Sequence, residues 1–249
     1  MTQGQLQEPL SGALPGQLHG PIRGVLFDLD GTLIDTAPDF IRIIHQLCRE
    51  AQVPAPSAEA IRAQVSEGAR AMVRLIHPEL TVDDPRLLAY REAFLKEYSL
   101  QLAVDSDVFP GLNPCLSWLE TQHIPWGIVT NKPRWLAAAL LNELGLTTRC
   151  AVLVCPDDVT HTKPDPEPMF LAASQLGLPA KDLIYVGDHP RDIDAGRAAG
   201  MQTVLAGFGY LPPNPLITLA EWGATVIIDE PEDLLPLIQS AIGAPHVVS

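Results

Sequence analysis

Gly24-Val25-Leu26-Phe27-Asp28-Leu29-Asp30-Gly31-Thr32 decides the fold. An uncharged, mostly apolar run ending in an acid reads as a short strand buried on both faces, the kind that sits inside a parallel sheet. Gly31 and Thr32 turn the chain, and Asp35 or Thr36 can cap a helix that tolerates Pro38 in its first turn. Phe40, Ile43, Ile44, Leu47 and Cys48 then share one helical face. Strand-like runs follow at 127–130, 151–154, 183–186, 202–205 and 225–228. Helical patterns over 136–144, 169–176 and 193–199 separate them, and each stops at a glycine: Gly145, Gly177 and Gly200. This alternation predicts an α/β fold, a doubly wound parallel sheet with helices on both faces.

One stretch breaks the alternation. Residues 38–108 carry helical patterns and no convincing strand: Ser57 is placed to cap a helix over 58–65, and Leu87, Tyr90, Phe94 and Tyr98 form another stripe. The expected organisation is a flexible tail over 1–22, a core domain from 23–37 and 109–249, and an inserted helical cap domain over 38–108 that covers the site as a lid.

The 249 residues carry 47% hydrophobic residues, enough for a substantial core, and a formal charge of −14. That charge speaks against unassisted binding to nucleic acid and against a polybasic membrane anchor. A small anionic substrate stays open, because a metal and a lysine invert the field locally. Cys48, Cys115, Cys150 and Cys155 lie at irregular spacing and read as reduced thiols. No apolar run reaches the roughly 18 residues of a membrane span. The first 22 residues lack the basic start and apolar stretch of a secretion signal, so a cytoplasmic protein is expected.

Ligands of doubly wound sheets collect at the carboxyl ends of the strands. Asp28 and Asp30 follow the first strand, Thr130 and Asn131 the second, Lys163 lies in the loop after the third, and Asp188 follows the fourth, with Asp192 close behind. One acid at a strand end means little; four strand ends converging on acids, a hydroxyl, an amide and a lysine describe a site. Two like charges about 4 Å apart repel by roughly 4 kcal/mol at an effective dielectric of about 20. A hard divalent cation, Mg²⁺, resolves that crowding through oxygen ligands.

Asp28-Leu29-Asp30-Gly31-Thr32, Val129-Thr130-Asn131-Lys132, Thr162-Lys163-Pro164, and Gly187-Asp188 with Asp192 resemble, in order, the four motifs of haloacid dehalogenase-like hydrolases. Ser66-Glu67-Gly68-Ala69-Arg70-Ala71-Met72 and Lys163-Pro164-Asp165-Pro166-Glu167-Pro168 are similar to the branch with phosphoglycolate and N-acetylmuramic acid 6-phosphate phosphatases. The resemblance implies a Rossmann-like core and a magnesium-dependent phosphatase acting on a small phosphorylated metabolite. It implies Asp28 as nucleophile and Asp30 as acid and base. It further implies magnesium held by Asp28, the Asp30 carbonyl and Asp188, phosphoryl oxygens bound by Thr130, Asn131 and Lys163, and Asp192 in support. His189 departs from the usual pattern, where a small or acidic residue often follows the metal aspartate.

Several readings compete. Asp30 speaks against a dehalogenase, which has no use for a second acid. A phosphonate hydrolase of the Schiff-base kind needs a lid lysine, for which Lys96 alone is placed. A sugar-phosphate mutase shares the aspartate pair, and a phosphorylatable switch shares the acid-and-lysine logic. Lys132, ahead of Pro133, reads as a solvated helix start; His161 and His189 read as substrate contacts or loop residues. Arg70 reads either as a grip on a substrate carboxylate or as a surface partner of Glu67 or Glu79. Trp126 and Trp222 read as core, and Gly196 as a point of close helix-to-sheet packing. Nothing in the sequence fixes the oligomeric state.

Overall fold

Six short apolar runs pair side by side in the computed structural model, which describes residues 16–211 and 218–243. They are β1 (Gly24–Phe27), β4 (Trp126–Val129), β5 (Val152–Val154), β6 (Leu183–Gly187), β7 (Gln202–Ala206) and β8 (Val226–Ile228). All pair in parallel, in the order β5-β4-β1-β6-β7-β8, with Leu26 beside Gly127 on one flank and Tyr185 on the other. Val25, Leu26 and Phe27 are fully buried, as an inner strand with both faces covered requires. The covering helices are α5 (Leu112–Thr121), α6 (Arg134–Glu143), α7 (Glu167–Leu176), α8 (Pro190–Ala198) and α9 (Leu234–Gly243). From β1 the strand order runs outward in opposite directions, through β4 and β6. That reversal opens a crevice at the carboxyl ends of the three strands.

The expected strands match the observed ones to within two residues at either end. Trp126 and Trp222 are buried, and a Cβ on Gly196 would lie 2.5 Å from Thr203 Cγ2, which is why α8 settles so closely on β7. Cys48, Cys115, Cys150 and Cys155 are all free. Among the described residues no helix is long and apolar enough to cross a membrane.

Part of the expected tail packs on the core. Of the proposed 1–22, residues 1–15 lie outside the described residues, but 16–22 pack on the core. Leu18 and Ile22 are buried, and the His19 main chain exchanges two hydrogen bonds with the Gln202 side chain.

The interruption between β1 and α5 holds four helices, α1 (Ala37–Ala51), α2 (Ala58–Arg62), α3 (Ala69–Ile76) and α4 (Pro85–Ser99). Ser57 Oγ accepts the Ala60 N–H at 3.2 Å, as expected of an N-cap. Phe40 of α1 stacks on Phe94 and Tyr98 of α4, with centroids 6.0 and 4.4 Å apart. A strand does occur where none was read: β2 (Ile34–Asp35) and β3 (Asp107–Val108) pair antiparallel where the chain leaves and re-enters the core. Two residues per strand are too few to show a period.

Neither Asp35 nor Thr36 caps α1 through its side chain. The Thr36 hydroxyl donates to Asp30 Oδ1 at 2.7 Å, and the buried Ala37 N–H donates instead to Tyr210 Oη at 2.8 Å. Tyr210 in turn donates to Asp35 Oδ1 at 2.6 Å, while Arg62 of α2 grips both Asp35 oxygens at 3.1 and 3.0 Å. One phenol therefore caps the first inserted helix and fixes the carboxylate that anchors the second. Tyr210→Phe should lower the unfolding free energy by about 1–3 kcal/mol, the cost of a buried donor left unpaired. Urea denaturation checks this; an unchanged midpoint contradicts it.

Candidate active site

β1 delivers Asp28 to the centre of the crevice, and the chain then turns at Gly31, whose φ of +81° suits glycine. A Cβ there would lie 2.3 Å from Asp188 Oδ2, so the missing side chain is what lets the first and fourth motifs touch. Asp188 directly follows β6, and α8, starting at Pro190, carries Asp192 one turn on. The β5–α7 loop brings in Lys163.

Lys163 Nζ, almost wholly buried, lies 2.6 Å from Asp192 Oδ1, 2.8 Å from Tyr185 Oη and 3.0 Å from Asp28 Oδ1. The Asp28 contact is close in distance but lacks hydrogen-bond geometry, so Asp28 Oδ1 is a buried oxygen without a hydrogen-bond partner. Burial alone would pull the Lys163 ammonium below its ordinary pKa, but Asp192 and Asp28 outweigh that and hold it above. Tyr185 donates to the Val129 carbonyl at 2.7 Å, tying the cluster to β4. Asp192 Oδ2 accepts the His189 N–H at 3.0 Å. Both Asp192 oxygens are thus committed, one to the lysine and one to the start of α8.

Asp28, Asp188 and Asp192 each offer an oxygen within 4.8 Å of the others. Burial pushes the Asp28 carboxyl above its ordinary pKa against the pull of Lys163, and Asp192 adds to the rise. Asp188 is pushed up to about 8, first by burial and then by Asp192 and Asp28. Its Oδ2 accepts from the Tyr210 N–H at 2.8 Å and Ser66 Oγ at 3.0 Å, and Thr32 Oγ1 lies 3.3 Å from Oδ1. Buried acids that outnumber the one lysine beside them, with an oxygen among them that makes no hydrogen bond, are a donor set that fits a hard cation with oxygen ligands. Asp192 is hydrogen-bonded to a cation, Lys163, whereas Asp188 has no cationic partner among the described residues.

Asp30 faces the same cavity and is held differently. Its Oδ1 accepts from Thr36 Oγ1 and, at 2.8 Å, from Lys132 Nζ. Lys132 is the chief surprise of the site. Expected at a solvated helix start, it is buried, donates to Tyr98 Oη at 3.1 Å, and lies 4.6 and 5.2 Å from the Tyr98 and Phe40 ring centroids. Burial opposes its charge, but Asp30 and Tyr98 hold its pKa above the ordinary lysine value. Pro133 does precede a helix, but the Lys132 side chain turns inward to aromatic rings contributed by α1 and α4. Thr130 and Asn131 line the cavity too; Thr130 Oγ1 accepts the Lys132 N–H at 3.1 Å, and Asn131 donates to the Lys163 carbonyl at 3.1 Å.

The cavity, about 260 Å³, lies between the crevice and the inserted helices. Ser66, Glu67 and Arg70 reach it from the loop before α3 and from that helix's first turn. Arg70 is exposed at this wall and, among the described residues, has no ion pair. The surface partners considered for it are engaged elsewhere: Glu67 lies 3.1 Å from His189 Nε2 and 3.8 Å from Arg191, and Glu79 lies 3.5 Å from His77. His189 Nδ1 accepts from the Arg191 main chain and guanidinium at 3.2 and 2.9 Å, so its proton sits on Nε2, facing Glu67. Burial and then Arg191 push its pKa down, which keeps the ring neutral. Arg191 also donates to the Ser66 carbonyl at 2.6 Å. His161 lies apart from this cluster, exposed beside Glu167 at 3.2 Å.

Residues 25–206 match the family model described as haloacid dehalogenase-like hydrolase. The chain belongs to the haloacid dehalogenase-like hydrolases. It is 43% identical over 223 residues to an N-acetylmuramic acid 6-phosphate phosphatase of Pseudomonas aeruginosa, covering 89% of this chain and 96% of that one. It is 41% identical over 218 residues to a phosphoglycolate phosphatase of Xanthomonas campestris, covering 85% and 94%. A crystal structure of a predicted phosphoglycolate phosphatase from Haemophilus somnus shares the fold at a TM-score of 0.76 and 24% identity, covering 88% and 98%. This haloacid dehalogenase-like chain is a phosphoric monoester hydrolase with a Rossmann-like α/β core.

The raised Asp188 pKa has a measurable consequence. A carboxyl titrating higher in the native than in the unfolded chain costs stability as pH climbs above about 4, the unfolded value. The loss is complete above about 8. In chelator, Asp188→Asn should therefore melt progressively higher than the parent as pH goes from 5 to about 8.5, and magnesium should stabilise the parent only. Thermal melts at several pH values check both; a pH-independent difference contradicts the assigned crowding.

Proposed function

We propose that the chain is a magnesium-dependent phosphatase that hydrolyses a small carboxylated phosphate monoester through a phospho-aspartyl intermediate on Asp28. The observation that carries this reading is the buried Asp28 oxygen, 3.0 Å from Lys163 yet without a hydrogen bond, in a cluster with Asp188 at the mouth of β1. Asp28 and Asp188, with the Asp30 main-chain carbonyl, would hold Mg²⁺. With magnesium held there, the acids would be neutralised and the phosphoryl group polarised.

The remaining steps belong to the chain's own side chains. Thr130, Asn131 and Lys163 bind phosphoryl oxygens from one side, and Lys163 stays cationic because Asp192 orients and supports it. Asp28 attacks phosphorus and becomes an acyl phosphate as the P–O bond to the alcohol breaks. Asp30, with Oδ1 fixed by Thr36 and Lys132, gives a proton to the leaving oxygen and then takes one from the water that releases phosphate. The segment 38–108 serves as a cap domain over these steps and excludes bulk water.

The relatives' names support the substrate class. N-acetylmuramic acid 6-phosphate and phosphoglycolate both carry a carboxylate, and Arg70 offers an unpaired guanidinium on the cavity wall. The 43% identity favours the phosphorylated sugar acid. A cytoplasmic location accords with such a substrate.

Phosphate release should require magnesium and stop in chelator. Asp28→Asn should fall to background, and Asp30→Asn should lose roughly 10²–10⁴ in kcat. Steady-state turnover by Asp28→Asn, or activity indifferent to chelator, contradicts the mechanism. Separately, Arg70→Ala should raise KM for 2-phosphoglycolate far more than for p-nitrophenyl phosphate. Equal effects on both remove the grip.

A further inference from the structure

The cavity above Asp28 has a neighbour. α4 presents two adjacent stripes, each at i, i+4, i+7 spacing. Arg91, Leu95 and Tyr98 line the inner cavity, while Glu92, Lys96 and Ser99 line an outer trough of about 420 Å³. Arg91, Leu95 and Pro133 belong to both walls, so the two spaces adjoin across them. The inner cavity alone is smaller than the roughly 300–1,000 Å³ of most small-molecule sites; together the two fall within that range.

Two features of the trough stand out. Trp135, in the first turn of α6, leaves 51% of its surface in solvent, although an indole is the side chain with most to gain from burial. Its turn is held firmly: Asp157 accepts the Arg134 N–H at 2.9 Å, and the Arg134 guanidinium bonds Asp158 at 3.0 Å and the Leu153 carbonyl at 2.8 Å. Arg91, half-buried at the junction, has no acid partner among the described residues. Yet the chain carries 30 acids against 16 bases, and Arg42, Arg62, Arg86, Arg134 and Arg149 all pair with carboxylates.

We propose that this trough is the subsite for the part of the substrate remote from the phosphate, a sugar-sized ring carrying a carboxylate. The apolar face of the ring lies on Trp135, and the carboxylate meets the Arg91 guanidinium at the junction. The Arg70 grip is left to a two-carbon acid held within the inner cavity, because Arg70 lines the wall of that cavity and not that of the trough. The inference rests on the phosphatase reading above and narrows its substrate from any carboxylated ester to a phosphorylated sugar acid. A two-carbon acid is accommodated in the inner cavity and makes no use of the indole.

The test is steady-state kinetics of the full chain, wild type, Trp135→Ala and Arg91→Ala. The substrates are N-acetylmuramate 6-phosphate, N-acetylglucosamine 6-phosphate (the same ring without the carboxylate), 2-phosphoglycolate and p-nitrophenyl phosphate. Trp135→Ala should raise KM about ten-fold or more for both sugar phosphates, and Arg91→Ala for the sugar acid alone, with kcat for p-nitrophenyl phosphate within about two-fold of wild type. Sugar-acid binding to Asp28→Asn should also change the tryptophan fluorescence, and Trp135→Phe should abolish that change. Wild-type turnover of the sugar acid with no selective effect of either variant overturns the subsite while leaving the phosphatase reading intact. Turnover of phosphoglycolate but not of the sugar acid overturns the subsite as well. Turnover of p-nitrophenyl phosphate alone overturns the subsite and the carboxylated substrate class; turnover of none of the four esters with magnesium present overturns the phosphatase reading itself.

Discussion

Lys163 is the constraint around which the rest is arranged. A buried ammonium is tolerated only when its charge is matched and its hydrogens are used. Here Asp192 and Asp28 supply the charge, and Tyr185 supplies a further oxygen. Those three partners come from β1, β6 and α8, and Tyr185 is itself tied to β4. The strand order β4-β1-β6 is what brings them together, so the parallel sheet and the site are one design. The lysine does not neutralise everything. Asp188 remains buried beside two other acids, and the shortfall of positive charge is the physical ground for a cation.

The inserted helices are built into the same electrostatic network. Ser66 reaches Asp188, Arg191 reaches back to the Ser66 carbonyl, and Arg62 clasps Asp35 while stacking over Tyr210 at 4.9 Å. Lys132 joins Asp30 to Tyr98 at the far end of α4.

How far the sequence discloses this depends on where each signal lies. β1 and its acids are local: an apolar run, an acid and a turn glycine within nine residues, and they stand where the pattern puts them. Asp188, Asp192 and Lys163 are legible because they fall at strand ends in order. Lys132 is not, because its reason for being buried lies in Phe40 and Tyr98, residues some 90 and 30 positions away that contribute an aromatic lining no local pattern reveals. Ser66 and Tyr210 escape for the same reason, each acting on a residue far along the chain. The β2–β3 pairing is too short to show a period. The packing of 16–22 rests on two apolar residues within a Gly- and Pro-rich stretch, where composition alone suggests a tail.

The central claim is that one carboxylate at the end of β1 becomes covalently phosphorylated during turnover. Rapid acid quench during steady-state hydrolysis, followed by peptide mass spectrometry, tests it most directly. The account predicts a phosphoryl group on the peptide containing Asp28 when magnesium and substrate are both present, and none in chelator. Full turnover with that peptide unmodified, or the phosphoryl group on another residue, would contradict it.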